Sequence, residues 1–228
     1  MNNLNVNVAQ VFVNKDGDYG NPVGIVLDEE QKLNEETRQQ IATKLNFSET
    51  VFIDSLRKVP SVSIFNPQHK VKFAGHAVLG TAYYIRSVLK KDIGSIKCGN
   101  ELVNIKEDGE ILYITAPLSI MPSWNFEELN SYGEVEKMTK KEGLEKKHAV
   151  IWAWIDKSKG LIRARTFAPD WGIPEDQANG SGSMLLATKL NREIEILHGK
   201  GSVIYAKPID SKTAEVGGRV VASKKTQS

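Results

Sequence analysis

A single cysteine, Cys98, stands in the 228 residues of this chain, so no intramolecular disulfide can form and a reducing compartment is expected. Histidine is almost as scarce. The four present (His69, His76, His148 and His198) show no metal-ligand spacing among themselves or with Cys98, and no resident metal is expected. No apolar run approaches the ~20 residues of a membrane-spanning helix. The opening MNNLNVNVAQVFV has neither the basic start nor the long apolar stretch of a signal peptide. An excess of one charge sign is also lacking, with 30 basic residues against 28 acidic ones and no basic, aromatic-rich stripe. The Lys140-Lys141, Lys146-Lys147 and Lys224-Lys225 pairs therefore read as solvated surface. The expectation is a cytoplasmic globular protein with no nucleic-acid and no membrane partner.

Several familiar chemical motifs are incomplete. GHAVLGTA at 75–82 has glycines like those of a phosphate-binding loop but lacks its lysine. NGSGSMLL at 179–186 has Gly180 and Gly182 without the third glycine of a dinucleotide fingerprint. Gly-x-Ser-x-Gly is absent, so Ser181 does not read as an activated nucleophile. A two-thiol racemase needs a second cysteine beside Cys98-Gly99-Asn100, and there is none.

What the chain does carry is an internal echo. SIFNPQHKVKFAGHAVLGTAYYI at 63–85 and RARTFAPDWGIPEDQANGSGSMLLATKL at 163–190 share one plan. In each, a strand runs into Phe-x-Pro (Phe65 to Pro67, Phe167 to Pro169), a loop follows, and Gly75-His76 or Gly180-Ser181 opens an apolar helix. Duplication of this kind implies two similar lobes. It also implies two helix N-termini, each with unpaired N–H groups and a positive dipole end. Facing each other, they would form a cleft suited to a small anion.

Around these segments the patterning alternates as strands over 5–13 (with a one-residue shift near Val11), 23–28, 48–53, 62–65, 95–97, 102–106, 111–116, 149–155, 161–167, 202–206 and 215–222. Turns are expected at 16–18 and 20–22. Asn34 is placed to cap a helix over 35–45 with Ile41 and Leu45 on one face, and 137–147 reads as helical. The helix after His76 is apolar nearly all round until Ile85, which marks it as central and surrounded. Many short strands around one buried helix, twice over, indicate an α+β fold of two pseudo-symmetric lobes, each a bent, mostly antiparallel sheet around a central helix. The boundary falls at Pro117–Pro122, giving lobes of 1–117 and 118–228.

Glu49 shares the face of an alternating strand with Phe47, Val51 and Ile53. On such a face a carboxylate is desolvated, its pKa rises, and it is suited to taking and returning a proton. The other reading is that Glu49, as the strand's first residue, reaches solvent. His76, at a helix start, is either a neutral ring able to relay a proton or a cap for its own helix. Asp176 and Ser181 flank the loop before the second helix, where both are also common capping types.

YGNPVGIVLD at 19–28, NFSETVFI at 46–53, KFAGHAVLGTA at 72–82, RTFAPDWGIPEDQANGSGS at 165–183 and VGGRV at 216–220 together resemble the phenazine-biosynthesis isomerase-like (PhzF-like) family, which has the diaminopimelate-epimerase-type fold. The resemblance implies that Glu49 is the acid/base residue and that His76 and Asp176 are catalytic. It also implies that Gly75, Gly180 and Ser181 bind substrate. The implied activity is isomerisation of a dihydro-hydroxyanthranilate-like, anionic small molecule, with no cofactor, by a homodimer whose last strand returns to the first lobe. The chain departs from the family pattern at Ala77, where proline is usual, and at Gln177, Asn179 and Gly182 in the second motif. It is also short around 118–160, so the pocket wall differs. An amino-acid-type racemase or epimerase, or a non-catalytic small-molecule binder of the same fold, is the alternative.

Overall fold

The computed structural model describes residues 5–223; the Lys224-Lys225 pair and the first four residues of the opening segment lie outside them. The first half runs β1 (Val6–Val13), β2 (Asn21–Leu27), α1 (Glu35–Leu45), β3 (Glu49–Ser55), β4 (Ser61–Phe65), β5 (Lys70–Val71), α2 (Gly75–Tyr83), β6 (Ser95–Cys98), β7 (Glu101–Asp108) and β8 (Ile111–Pro117). The second half runs β9 (Asn125–Glu128), α3 (Tyr132–Lys137), α4 (Lys140–Leu144), β10 (Ala149–Asp156), β11 (Leu161–Ala168), β12 (Ile173–Asp176), α5 (Gly180–Leu190), β13 (Ile194–His198), β14 (Ser202–Pro208) and β15 (Thr213–Ala222).

The same wiring occurs twice. A parallel pair, β2–β3, is bridged by α1, and a parallel pair, β9–β10, is bridged by α3 and α4. β4 is followed by the short return strand β5, then α2, then the parallel partner β6. β11 is likewise followed by β12, α5 and the parallel partner β13. The chain therefore folds as two pseudo-symmetric α+β lobes, each a strand-rich sheet around a helix. β15 pairs with β8 and β1 on one side and with β14 on the other. Following the pairings β1-β2-β3-β4-β6-β7-β8-β15 and back to β1 gives a closed ring.

That ring explains α2. Its residues Gly75–Ala82 are all buried, with Val78, Leu79 and Ile85 in the core that Val11, Val23, Val51, Ile53 and Ile114 supply from the strands. An amphipathic sequence would bury its charged face here, so the all-apolar segment is the one that fits. Beyond Tyr83 the helix loosens into a π-helical turn, Tyr84–Val88, and the Leu89 N–H donates to the Tyr84 carbonyl. The open second half leaves α5 less enclosed, packed on β14 and β15.

Local signals set the edges. The Asn34 side chain accepts from the Thr37 N–H and caps α1, which packs Ile41 and Leu45 over Phe52 and Phe65. β1 contains the expected shift: the register with β15 slips between Val11 and Val13, and Phe12 takes φ 67°. Both faces of β3 are covered. Phe52 faces α1, whereas Val51 and Ile53 face the α2 core.

Some expectations are corrected. The helix expected over 137–147 is only α4, because Thr139 starts it with a capping box to Glu142, and α3 ends before it at Lys137. Asn21 and Pro22 lie inside β2, not in a turn before it, opposite Val11 and Gln10. Pro22 is tolerated because β3 pairs with β2 only from Val23 onward. β5, β9, β12 and β13 are strands where none was expected. Among the described residues no helix is long and apolar enough to cross a membrane.

Candidate active site

The two helix starts meet. A Cβ built on Gly75 would lie 3.2 Å from the Gly180 Cα, and one built on Gly180 would lie 3.4 Å from the His76 backbone nitrogen. Only glycine at both positions allows the first turns of α2 and α5 to approach this closely. α2 has no side-chain cap, whereas α5 is capped by Asn179, whose Oδ1 accepts from the Gly182 N–H at 2.5 Å. First-turn N–H groups lack intrahelical partners, so the positive ends of two helices border one space.

That space is a cleft of about 360 Å³. Glu49, Gly75, His76, Asp176, Gly180 and Ser181 all line it, so the structure brings together every site residue expected from the sequence. Glu49 enters from the start of β3, His76 from the first turn of α2, Asp176 from the end of β12 and Ser181 from the first turn of α5.

The Glu49 side chain is 13% exposed, and its Oε2 lies 3.1 Å from His76 Nε2. The approach is close but off-axis: buried Nε2 has no hydrogen-bond partner among the described residues. Burial lowers the His76 pKa to about 3, so the ring is neutral at ordinary pH. Burial also holds the Glu49 carboxyl well above the usual carboxylate range, and the charge of Asp176 adds to the rise. Asp176 is itself raised to about 7 by burial, against the pull of donors from Asn179, Ala178 and Asn21. Two buried carboxyl groups in one cleft, both raised above the usual carboxylate range, form a place where a proton is readily held and released.

Neighbouring side chains hold Asp176 in place. The Asn21 amide donates to Asp176 Oδ1 at 2.6 Å and to the Ala178 carbonyl at 3.0 Å. The Asn179 amide donates to Asp176 Oδ2 at 2.9 Å. Asn21 comes from the first half and Asn179 from the second, so one buried network spans the junction. Ile120, Met121, Trp124 and Trp171 give part of the lining an apolar and aromatic character. The Trp124 indole N–H donates to Ser181 Oγ at 3.0 Å.

Sequence reasoning missed Asn21, Asn179, Trp124 and Trp171. Asn21 lay inside the quoted YGNPVG segment, and Asn179 directly precedes a glycine that opens a helix; both were readable as a turn residue and a cap. Trp124 falls at the start of a polar stretch that gave no sign of facing a cleft. Cys98 lies elsewhere, on β6, and burial pushes its thiol up to about 12. Among the described residues no group of three His, Cys, Asp or Glu side chains could hold a metal ion.

Comparisons with known proteins bear on the family and the fold. Residues 10–111 match the family model described as phenazine biosynthesis-like protein. A trans-2,3-dihydro-3-hydroxyanthranilate isomerase of Pseudomonas aeruginosa is 26% identical, over 79% of this chain and 78% of its own. An uncharacterized isomerase of Mesorhizobium japonicum is 34% identical over 92 residues, 35% of this chain and 30% of its own. Among solved structures, a PhzF-family phenazine biosynthesis protein of Bacillus anthracis superposes with TM-score 0.79 at 21% identity, covering 98% of each chain. A probable proline racemase of Agrobacterium radiobacter shares the fold more distantly, with TM-score 0.60 at 13% identity over 96% of this chain and 91% of its own. The family model over residues 10–111, the curated isomerase relatives and the whole fold all make this chain similar to the phenazine biosynthesis-like (PhzF-like) isomerases.

Proposed function

We propose that this chain is a cofactor-independent isomerase that moves a proton between two carbons of a small, carboxylated cyclic substrate, with Glu49 as the shuttle. One observation carries the reading: buried Glu49 stands in the cleft, raised by burial and by Asp176, with the neutral His76 ring 3.1 Å away. A raised carboxyl is a stronger base when ionised and a ready acid when protonated.

In the proposed step, ionised Glu49 takes the proton from a substrate carbon. The C–H pair forms a new double bond to the neighbouring carbon, and the pair of that carbon's existing double bond moves to the far carbon. The Glu49 carboxylic acid then returns the same proton to the far carbon, so no net charge or electron is transferred. The resulting enol becomes the ketone. His76 steadies the shuttle without competing for its proton, since it stays neutral. Asp176 holds negative charge, or a proton, beside it. The first-turn N–H groups of α2 and α5, at Gly75 and Gly180, with the Ser181 hydroxyl, receive the substrate's carboxylate.

The reading extends to residues 1–117 and 118–228 as the two lobes and to a cytoplasmic homodimer, the latter testable by light scattering. Trans-2,3-dihydro-3-hydroxyanthranilate, the substrate in the names of the curated relatives, is the first candidate. The test incubates it with the protein in deuterated buffer and follows ring protons by NMR. Double-bond migration supports the reading. Deuterium entering one carbon with inversion and no migration would replace it with the epimerase alternative.

A further inference from the structure

We propose that Trp124 is a specificity-determining residue: its indole N–H fixes the Ser181 hydroxyl as a donor, which selects an anionic group on a flat ring over a neutral one. The inference rests on the reading of this cleft as the substrate site, and it names a substrate class for it.

Trp124 and Ser181 both line the cleft, and the indole N–H donates to Ser181 Oγ at 3.0 Å. Indole nitrogen can only donate. With an acceptor position of Oγ engaged, the hydroxyl hydrogen is left to point elsewhere. Its partner in the protein is poor: Asn179 Oδ1 at 3.5 Å, an oxygen already held by the Gly182 N–H at 2.5 Å. A substrate carboxylate offers a better acceptor. Ser181 is also at the first turn of α5, where negative charge is favoured. An amide presenting its NH₂ there would meet a donor instead.

The indole is itself held by neighbours. Trp124 meets Trp171 edge-on, with ring centroids 4.9 Å apart, and Trp171 stacks on His148 at 4.8 Å with the rings 6° from parallel. His148 Nδ1 lies 2.7 Å from Asp170 Oδ2, which anchors the outer end. Trp171 also lines the cleft, so the wall beside the anion position is two rigid aromatic rings. Such a wall favours a flat, unsaturated ring over a puckered one.

The test uses three probes: benzoate, benzamide and cyclohexanecarboxylate. Binding is followed by NMR titration of the wild type and of Trp124→Phe, which keeps an aromatic ring and removes the N–H. The Trp124 indole resonance is the one missing from the variant spectrum, and in the wild type it should shift with benzoate. The benzoate-over-benzamide preference is expected to fall about three- to ten-fold in Trp124→Phe, the effect of one lost hydrogen bond. The benzoate-over-cyclohexanecarboxylate preference should stay. Ser181→Ala should produce the same loss, and the double variant should add little to it. An unchanged carboxylate-over-amide preference, or equal weakening of all three probes, would overturn the inference. Failed isomerisation with these ratios intact would refute only the proposed chemistry, whereas flat ratios beside active isomerisation would refute only the role of Trp124.

Discussion

Adding one methyl group at Gly180 tests whether the meeting of the two helix starts is a built feature. The Cβ of an alanine there would lie 3.2 Å from the Gly75 Cα, 3.3 Å from Phe12 Cζ and 3.4 Å from the His76 nitrogen. Comfortable carbon–carbon contact begins at about 3.5–4.0 Å, so each neighbour must give by a few tenths of an ångström. None can do so freely, because Phe12 is fully buried and the other two are backbone. Overpacking of this kind costs about 1–3 kcal/mol. The helix-propensity gain of alanine offsets at most about 1 kcal/mol, and less in a first turn. The expected net loss is about 1–2 kcal/mol, a fall in Tm of roughly 2–8 °C for a chain of this size. The displaced groups line the cleft, so KM for a carboxylated substrate should rise several-fold as well. Gly94→Ala is the control, since its Cβ would meet nothing within 4 Å and should leave stability within about 1 kcal/mol. Thermal melts of the two variants side by side decide the matter. A Gly180→Ala protein as stable as the control, with unchanged KM, would refute the packing argument and the anion site built on it.

Three further outcomes follow from other parts of the molecule. Arg38 bridges Asp28 at 2.7 Å and Asp54 at 2.6 Å with little exposure, so Arg38→Met should cost about 3 kcal/mol in urea unfolding; a loss below about 1 kcal/mol would show that water already screens the carboxylates. Asp176, raised from 3.8 to about 7, keeps a proton in the folded chain that the unfolded chain has released between those values. Its contribution to stability is therefore full below about pH 4 and declines as pH rises through about 7. Asp176→Asn should flatten that decline, and parallel pH–stability curves would contradict the raised pKa. Cys98, buried and pushed up to about 12, should resist a thiol reagent at pH 8 until the chain unfolds; rapid stoichiometric labelling of the native protein would show that β6 opens.

How far the sequence speaks for itself differs from element to element. Asn34 and its helix were legible to the residue, because capping is a local interaction between a side chain and an N–H three residues on. α2 was legible because a segment that is apolar on all sides has no other place to go. The six candidate site residues share one cleft because short motifs place them at strand ends and helix starts. β13 escaped although Ile194 and Ile196 alternate with polar neighbours, since the strand is only five residues long and directly follows a helix. β9, with sequence NFEE, is held by its parallel pairing to β10 rather than by its own pattern. The T-x-x-E of Thr139 and Glu142 was a readable start signal inside the supposed single helix. Asn21 and Trp124 were out of reach for another reason. Their partners, Asp176 and Ser181, lie 155 and 57 residues away, and only the fold brings them together.

The most direct test of Glu49 as proton shuttle is Glu49→Gln beside the wild type, with trans-2,3-dihydro-3-hydroxyanthranilate in deuterated buffer and ring protons followed by NMR. Glutamine keeps the size of the side chain, so the variant should fold and still bind substrate, and circular dichroism and a binding titration check this. The account predicts isomerisation by the wild type and a loss of at least about a thousand-fold in the variant. Isomerisation by a folded Glu49→Gln protein at a rate near that of the wild type would contradict it.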